Sequence, residues 1–270
     1  MDATAVVAIL LVVATAVLAA LLLSSRRERA QLRDALEDKA RDLERLQTSF
    51  ARFAPEEIVE RIIAGGVSTR GERIEVTALF ADLVGFTAFS ERLEPYLLVR
   101  ILNGYFERMS RAITGHRGHI STFVGDGVLA LFGALQPNPW QADDALHAAL
   151  AMREELAAYN NELEKDGLPT LAVGIGLHRG LGVAGLVGSR DLMQFTLIGR
   201  TVNLAARVQT LTRQYEVDIL VTRAVRDHLD PRFTLEELPA TEVRGIAEPV
   251  AIYAATGFNT GDETLSNKSV

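Results

Sequence analysis

The chain has 270 residues, 48% of them apolar and 23% charged, with a net charge of −7. That acidic balance excludes a surface built to hold nucleic acid, because a phosphate backbone needs a basic footprint. There is no cysteine, which excludes disulfides, thiolate metal sites and cysteine nucleophiles.

Residues 3–23 carry no charge, and about 20 apolar residues suffice to cross a bilayer as a helix. Arg26, Arg27 and Arg29 follow at once, so the positive-inside bias puts the rest of the chain on the cytoplasmic side. No basic residue precedes the stretch, and its apolar run exceeds a signal-peptide core. Residues 1–25 therefore read as a single-pass anchor in the cell (inner) membrane. In residues 26–53 the positions Leu32, Leu36, Leu43, Leu46, Phe50 and Phe53 alternate steps of four and three, with Lys39 as the one break. This is a coiled-coil seam, and its expected partner is a second copy of the chain; the alternative is the chain's own globular part. Residues 54–71 open with Pro55 at a first helical turn and carry Ile58, Val59, Ile62 and Ile63 before Gly65-Gly66, a short linker helix.

Val76 to Ala81 is nearly continuous in apolar residues and predicts a buried central strand that ends at Asp82, with Gly85 loosening the turn. Val99, Leu102, Tyr105, Phe106, Met109 and Ile113 give an apolar face to a helix from about Pro95 to Thr114. Two apolar strands then flank Gly125-Asp126-Gly127, a tight-hairpin signal. Gln136-Pro137-Asn138-Pro139 is a loop, and residues 141–163 form an amphipathic helix. Strands are expected from Thr170 to Leu177 and from Val183 to Val187. A further strand at Phe195 leads through Gly199 into a helix whose buried stripe is Leu204, Val208 and Leu211. The order fits an α+β, ferredoxin-like βαββαβ core. Residues 258–270 are polar and aperiodic and read as a disordered tail.

If the hairpin pairs beside the first strand, Asp82 and Asp126 face each other at one edge of the sheet. Two close carboxylates repel, and a divalent cation resolves the conflict; hard oxygen ligands suit Mg²⁺ or Mn²⁺. Each motif taken singly is also what an ordinary strand end or hairpin turn looks like. Asn203 and Arg207 are four apart and share a helix face. An amide and a guanidinium there suit an anion or a developing negative charge. Alone, the pair is equally a helix-start Asn and a surface Arg.

In order and spacing these stretches resemble the catalytic domain of class III nucleotide cyclases, over about residues 50–257, with the domain itself at 72–257. Phe80-Ala81-Asp82 and Gly125-Asp126 look like the family's metal-binding aspartates. Val202-Asn203 through Arg207 looks like its transition-state Asn and Arg. His178-Arg179-Gly180, Gly185 and Gly188 fit its glycine-punctuated hairpin, and Val243-Arg244-Gly245 its closing strand pair. The resemblance implies two divalent cations, Mg²⁺ or Mn²⁺, on Asp82, Asp126 and the Leu83 carbonyl. It implies triphosphate contacts from the backbone of Val84, Gly85, Phe86 and Thr87 and from Arg244. It implies a homodimer whose sites straddle the interface, and conversion of ATP to 3′,5′-cyclic AMP and pyrophosphate. The base-selecting positions are Thr122 and Thr196. Thr196 fits the threonine variant of adenylate cyclases, whereas Thr122 stands where they commonly carry Lys. Neither is the Glu expected for guanine. A membrane-anchored adenylate cyclase is therefore expected. The alternatives are a cyclase of relaxed or different base specificity and a catalytically weak nucleotide-binding regulatory module. A diguanylate-forming enzyme would need Gly-Gly-(Asp/Glu)-Glu-Phe at the hairpin, which Gly125-Asp126-Gly127 is not.

Overall fold

The computed structural model describes residues 25–26, 29, 31–45, 71–189, 193–246 and 248–259. Residues 31–45 are helical, with Leu32, Leu36 and Leu43 exposed and an Arg33–Glu37 ion pair one turn apart. Among the described residues no helix is long and apolar enough to cross a membrane. The expected anchor lies outside the described residues except for Ser25. The end of the seam, the linker helix up to residue 70, and residues 260–270 of the tail lie outside them as well.

From residue 71 onward the strands are β1 (Glu72–Leu83), β2 (His119–Val124), β3 (Gly127–Phe132), β4 (Val173–Gly188), β5 (Met193–Ile198), β6 (Ile219–Thr222), β7 (Phe233–Glu237) and β8 (Ile252–Phe258). The helices are α1 (Phe86–Ser90), α2 (Pro95–Gly115), α3 (Gln141–Lys165), α4 (Arg200–Tyr215) and α5 (Arg223–Arg226). The strands form one sheet in the order β2-β3-β1-β4-β6-β8-β7, with β5 paired to β4 off this path. Within it β2-β3-β1-β4 is wholly antiparallel, the arrangement expected of a βαββαβ core. The chain then adds β6, parallel to β4, and the β8–β7 pair.

Side chains alternate across a strand, and β1 is covered on both faces. Leu79, Ala81 and Leu83 join a core with α2 and α3, including Ile101, Tyr105, Met109, Leu146 and Met152. Val76 and Ala78 point the other way and are equally buried. A strand buried on both faces reads as a continuous apolar run, which is why this one stands out in the sequence. Helix α2 starts where Pro95 takes the first position and the Glu94 carboxylate accepts the Tyr96 N–H at 3.1 Å. Its buried stripe is Ile101, Tyr105, Met109, Ala112 and Ile113, while Val99, expected in that stripe, is exposed.

The two strands expected at 170–177 and 183–187 are one continuous strand, β4. Its glycines supply room rather than a turn. Helix α4 lies along β4 so closely that a Cβ on Gly174 would overlap Thr212 Oγ1, and one on Gly176 would overlap Gln209 N and stand 2.5 Å from Ala205 O. A Cβ on Gly180 would come within 2.8 Å of Thr201 Oγ1. The hairpin turn comes later, between Gly188 and Met193. His178, placed in the hairpin by the resemblance, lies inside β4 with Nδ1 2.9 Å from Thr222 Oγ1.

Burial pushes the His119 and His178 imidazoles from an ordinary 6.5 down to about 4. The folded state thus disfavours their charged forms. Stability from this source is complete above pH 6.5 and is lost as pH falls from there toward 4, by roughly 1–3 kcal/mol per imidazole. Urea unfolding across that window is expected to show the decline. It should flatten in His119→Phe, which keeps a ring against Phe195 and removes one titration. The same slope in variant and wild type would contradict this.

Candidate active site

Strands β1 and β3 pair with Ala81 opposite Val128. Asp82, one residue beyond Ala81, therefore meets the β2–β3 turn, where Gly125 has φ 63°. The approach is close: a Cβ on Gly127 would stand 3.2 Å from both Asp82 Oδ1 and Ala81 O. The two aspartates are brought together as expected. Burial, and then the charge of Asp126, raise the Asp82 carboxyl above its usual range; Arg213 offsets part of that. The field of both carboxylates also reaches the buried Tyr105 hydroxyl, which burial pushes up and which has no hydrogen-bond partner among the described residues.

Arg213, in the last turn of α4, was not foreseen. Its Nη2 donates to Asp82 Oδ2 at 3.4 Å and to the Leu83 carbonyl at 3.1 Å. The donor set is therefore two carboxylates and a carbonyl, all oxygen, with net negative charge and already attracting a cation. That chemistry fits Mg²⁺ or Mn²⁺. Among the described residues no group of three or more His, Cys, Asp and Glu offers a fuller metal shell. Further ligands would have to come from a bound anion or from water.

Gly85, with φ 71°, caps the short helix α1. The expected anion contacts lose one donor here. The Val84 N–H donates to Ala172 O at 2.8 Å, because the chain after β1 stays paired for one residue more. Gly85, Phe86 and Thr87 remain as first-turn donors, groups that a helix leaves unpaired.

The Thr201 hydroxyl donates to Leu181 O at 2.7 Å and seats the start of α4. Leu204 and Val208 face the core, Asn203 is exposed and Arg207 is half-buried. The Arg207 guanidinium lies against Gly245, where a Cβ would come 3.1 Å from Nη1, so Arg207 and the exposed Arg244 turn form one group. This group is not at the carboxylates. Thr212 overlies Gly174, which pairs with Asp82, whereas Thr201 overlies Gly180. The carboxylates thus sit at the C-terminal end of α4. Asn203 is ten residues before Arg213, about 15 Å of helix rise. Arg207, midway along α4, is six residues before Arg213, about 9 Å of rise, so one chain carries separate half-sites along one helix.

Of the two positions expected to select the base, Thr196 Oγ1 accepts a hydrogen bond from Ser121 Oγ at 2.9 Å. Ser121 is buried, and its carbonyl accepts from Gln194 Nε2. Thr122 Oγ1 bonds only locally, to Phe123 O at 3.2 Å. A register shift between Ile120 and Thr122 brings the neighbouring Ser121 to Thr196. A bulge leaves no mark in composition, so sequence spacing alone could not single out Ser121.

Residues 70–257 match the family described as the adenylate and guanylate cyclase catalytic domain. Adenylate cyclase of Anabaena cylindrica is 37% identical over 234 residues, covering 81% of this chain and 45% of that protein. Adenylate cyclase 1 of Rhizobium meliloti (strain 1021) is 33% identical over 211 residues, covering 77% of this chain and 32% of that protein. The chain thus spans less than half the length of both relatives. The solved structure of the guanylyl cyclase Cya2 superposes with a TM-score of 0.67 at 32% identity, covering 72% of this chain and 97% of that one.

Proposed function

This chain belongs to the adenylate and guanylate cyclase family, and from that premise we propose that it converts ATP to 3′,5′-cyclic AMP and pyrophosphate as a homodimer. The observation that carries the reading is the split of the site. Asp82 and Asp126 stand at the C-terminal end of α4, Asn203 near its start and Arg207 midway, a separation that a second chain supplying one of the sets would close. An apolar arm supports that partner: among the described residues Leu181 (52% exposed), Val183 (44%), Val187 (41%) and Ile198 (56%) along β4 and β5 stay uncovered. A second copy would cover such a patch.

In this mechanism Asp82, Asp126 and the Leu83 carbonyl of one protomer would hold two divalent cations, whose chemistry would be to lower the pKa of the ribose 3′-hydroxyl and offset the charge of the triphosphate. The first-turn N–H groups of Gly85, Phe86 and Thr87 orient phosphate oxygens. From the other protomer Asn203 orients the ribose. Arg207, held against Gly245, meets the negative charge that grows on the α-phosphate as the hydroxyl attacks. Arg244 lies beside Arg207 to meet the outer phosphates. Residues 1–25 would anchor the protein in the cell membrane with the catalytic part cytoplasmic, and the seam of residues 26–53 would hold two copies together.

For the base, Thr196 and the two adenylate cyclase relatives favour adenine. The Ser121–Thr196 hydroxyl pair sets a modest preference, because each hydroxyl can donate or accept. One such hydrogen bond is worth about 1 kcal/mol, so ATP should lead GTP by roughly fivefold in kcat/KM. The test is incubation of the full chain with ATP, GTP, CTP or UTP and Mn²⁺, with the cyclic products separated and counted. No cyclic product from any of the four would sink the cyclase reading, and a pyrimidine preference would sink the base assignment alone.

A further inference from the structure

We propose that Arg213 is a built-in counter-cation: its guanidinium occupies the cation seat formed by Asp82 and the Leu83 carbonyl, and a divalent ion must displace it to bind. The proposal rests on the metal reading of Asp82 and Asp126. Nη2 reaches both atoms at once, Asp82 Oδ2 at 3.4 Å and Leu83 O at 3.1 Å, and these are two of the three ligands that reading needs. The guanidinium and a metal at this seat would compete for the same two oxygens, Asp82 Oδ2 and Leu83 O, each weakening the hold of the other. Asp126 beside Asp82 gives the guanidinium a reason to stay, because the pair would otherwise repel with nothing between them. The Arg213 side chain is 47% exposed, so it can swing into solvent without leaving a cavity. Its backbone lies in the last turn of α4, the helix that carries Asn203 and Arg207.

Arg213 is on this account a positioning residue that sets cation affinity, and its effect is visible without turnover. The full chain, free of nucleotide, is titrated with Mn²⁺ and the free ion followed by its paramagnetic resonance signal. Arg213→Gln is expected to bind Mn²⁺ roughly 3–10-fold more tightly than wild type, the range for losing a partly exposed charge-assisted contact. Arg213→Lys keeps the charge on a shorter stem with a more strongly hydrated head, and should fall between them. Arg111→Gln removes the same charge from the exposed face of α2 and should leave the affinity unchanged. Thermal unfolding supplies the second readout: Arg213→Gln should melt lower than wild type without metal and gain more from Mn²⁺. Equal affinities for Arg213→Gln and Arg111→Gln, or weaker binding by Arg213→Gln, would overturn the proposal. Should Arg213→Gln not fold, unchanged binding in Arg213→Lys overturns it instead. Failure of wild type and variants alike to bind Mn²⁺ would overturn the metal reading and this proposal with it.

Discussion

A one-to-one mixture of Asp82→Asn and Arg207→Ala chains is expected to make cyclic nucleotide although each variant alone is nearly silent. Removing a carboxylate that holds the cations forfeits several kcal/mol of charge stabilisation, so Asp82→Asn should fall by roughly 10³-fold or more. Removing a donor to the transition-state charge should cost about 10²–10³-fold in Arg207→Ala. In a symmetric dimer each site combines the carboxylates of one chain with the Asn–Arg pair of its twin. A mixed dimer then has one site that is doubly defective and one that is intact. Random pairing makes half of the dimers mixed, so activity should recover to about one quarter of wild type. Mixing Asp82→Asn with Asp126→Asn is the control. Both lesions lie on the same half-site, so every combination is defective and no activity should return. If the first mixture stays silent while both chains fold and associate, the two half-sites do not meet across chains. If instead either single variant keeps full activity, its residue is outside the chemistry.

Much of this arrangement was legible in the sequence because it obeys simple periodicities. β1 is sandwiched between two helical layers and so is apolar from Val76 to Ala81 with the one exception of the buried Thr77. The α2 and α3 stripes repeat at helical spacing, and the Gly125-Asp126 turn follows from two strands with one glycine in the left-handed region. The placement of Asp82 beside Asp126 is a consequence of those elements and was readable with them. The remainder was hidden because it depends on contacts between elements. β4 looked broken because glycine signals a turn in one dimension and close approach in three. Ser121 displaces Thr122 through a register shift that no spacing rule records. Arg213 is six residues after Arg207, which is not a same-face interval, and only the docking of α4 on the sheet carries it to Asp82. Val84 loses its free N–H to Ala172, a residue 88 positions away in sequence.

The glycine track is also where the largest stability effect should lie. Gly176→Ala is expected to destabilise the fold by about 2–4 kcal/mol, because the added methyl meets helix backbone rather than a side chain that could rotate away. Gln209 N overlaps it, Ala205 O stands at 2.5 Å and Gln209 Cα at 2.7 Å, so α4 must lift as a body. The gain from a stiffer unfolded chain, about 0.4–1 kcal/mol, offsets only part of this. Thermal unfolding should fall by roughly 5–15 °C, at about 2–4 °C per kcal/mol for a domain of this size. Gly174→Ala should cost less, since its first obstacle is the Thr212 hydroxyl, which can turn. Gly257→Ala, with nothing within 4 Å of its Cβ, should stay within about 0.5 kcal/mol of wild type. The functional loss in Gly176→Ala should exceed the loss of folded protein, because α4 holds Asn203 and Arg207 toward one end and Arg213 on Asp82 at the other. A displacement of about 1 Å at such groups can cost 10²-fold in rate, so kcat measured well below the melting temperature should already be depressed. A variant that melts with wild type and turns over normally would mean that α4 does not rest on the glycines, and that the spacing between the two half-sites is not set by this contact.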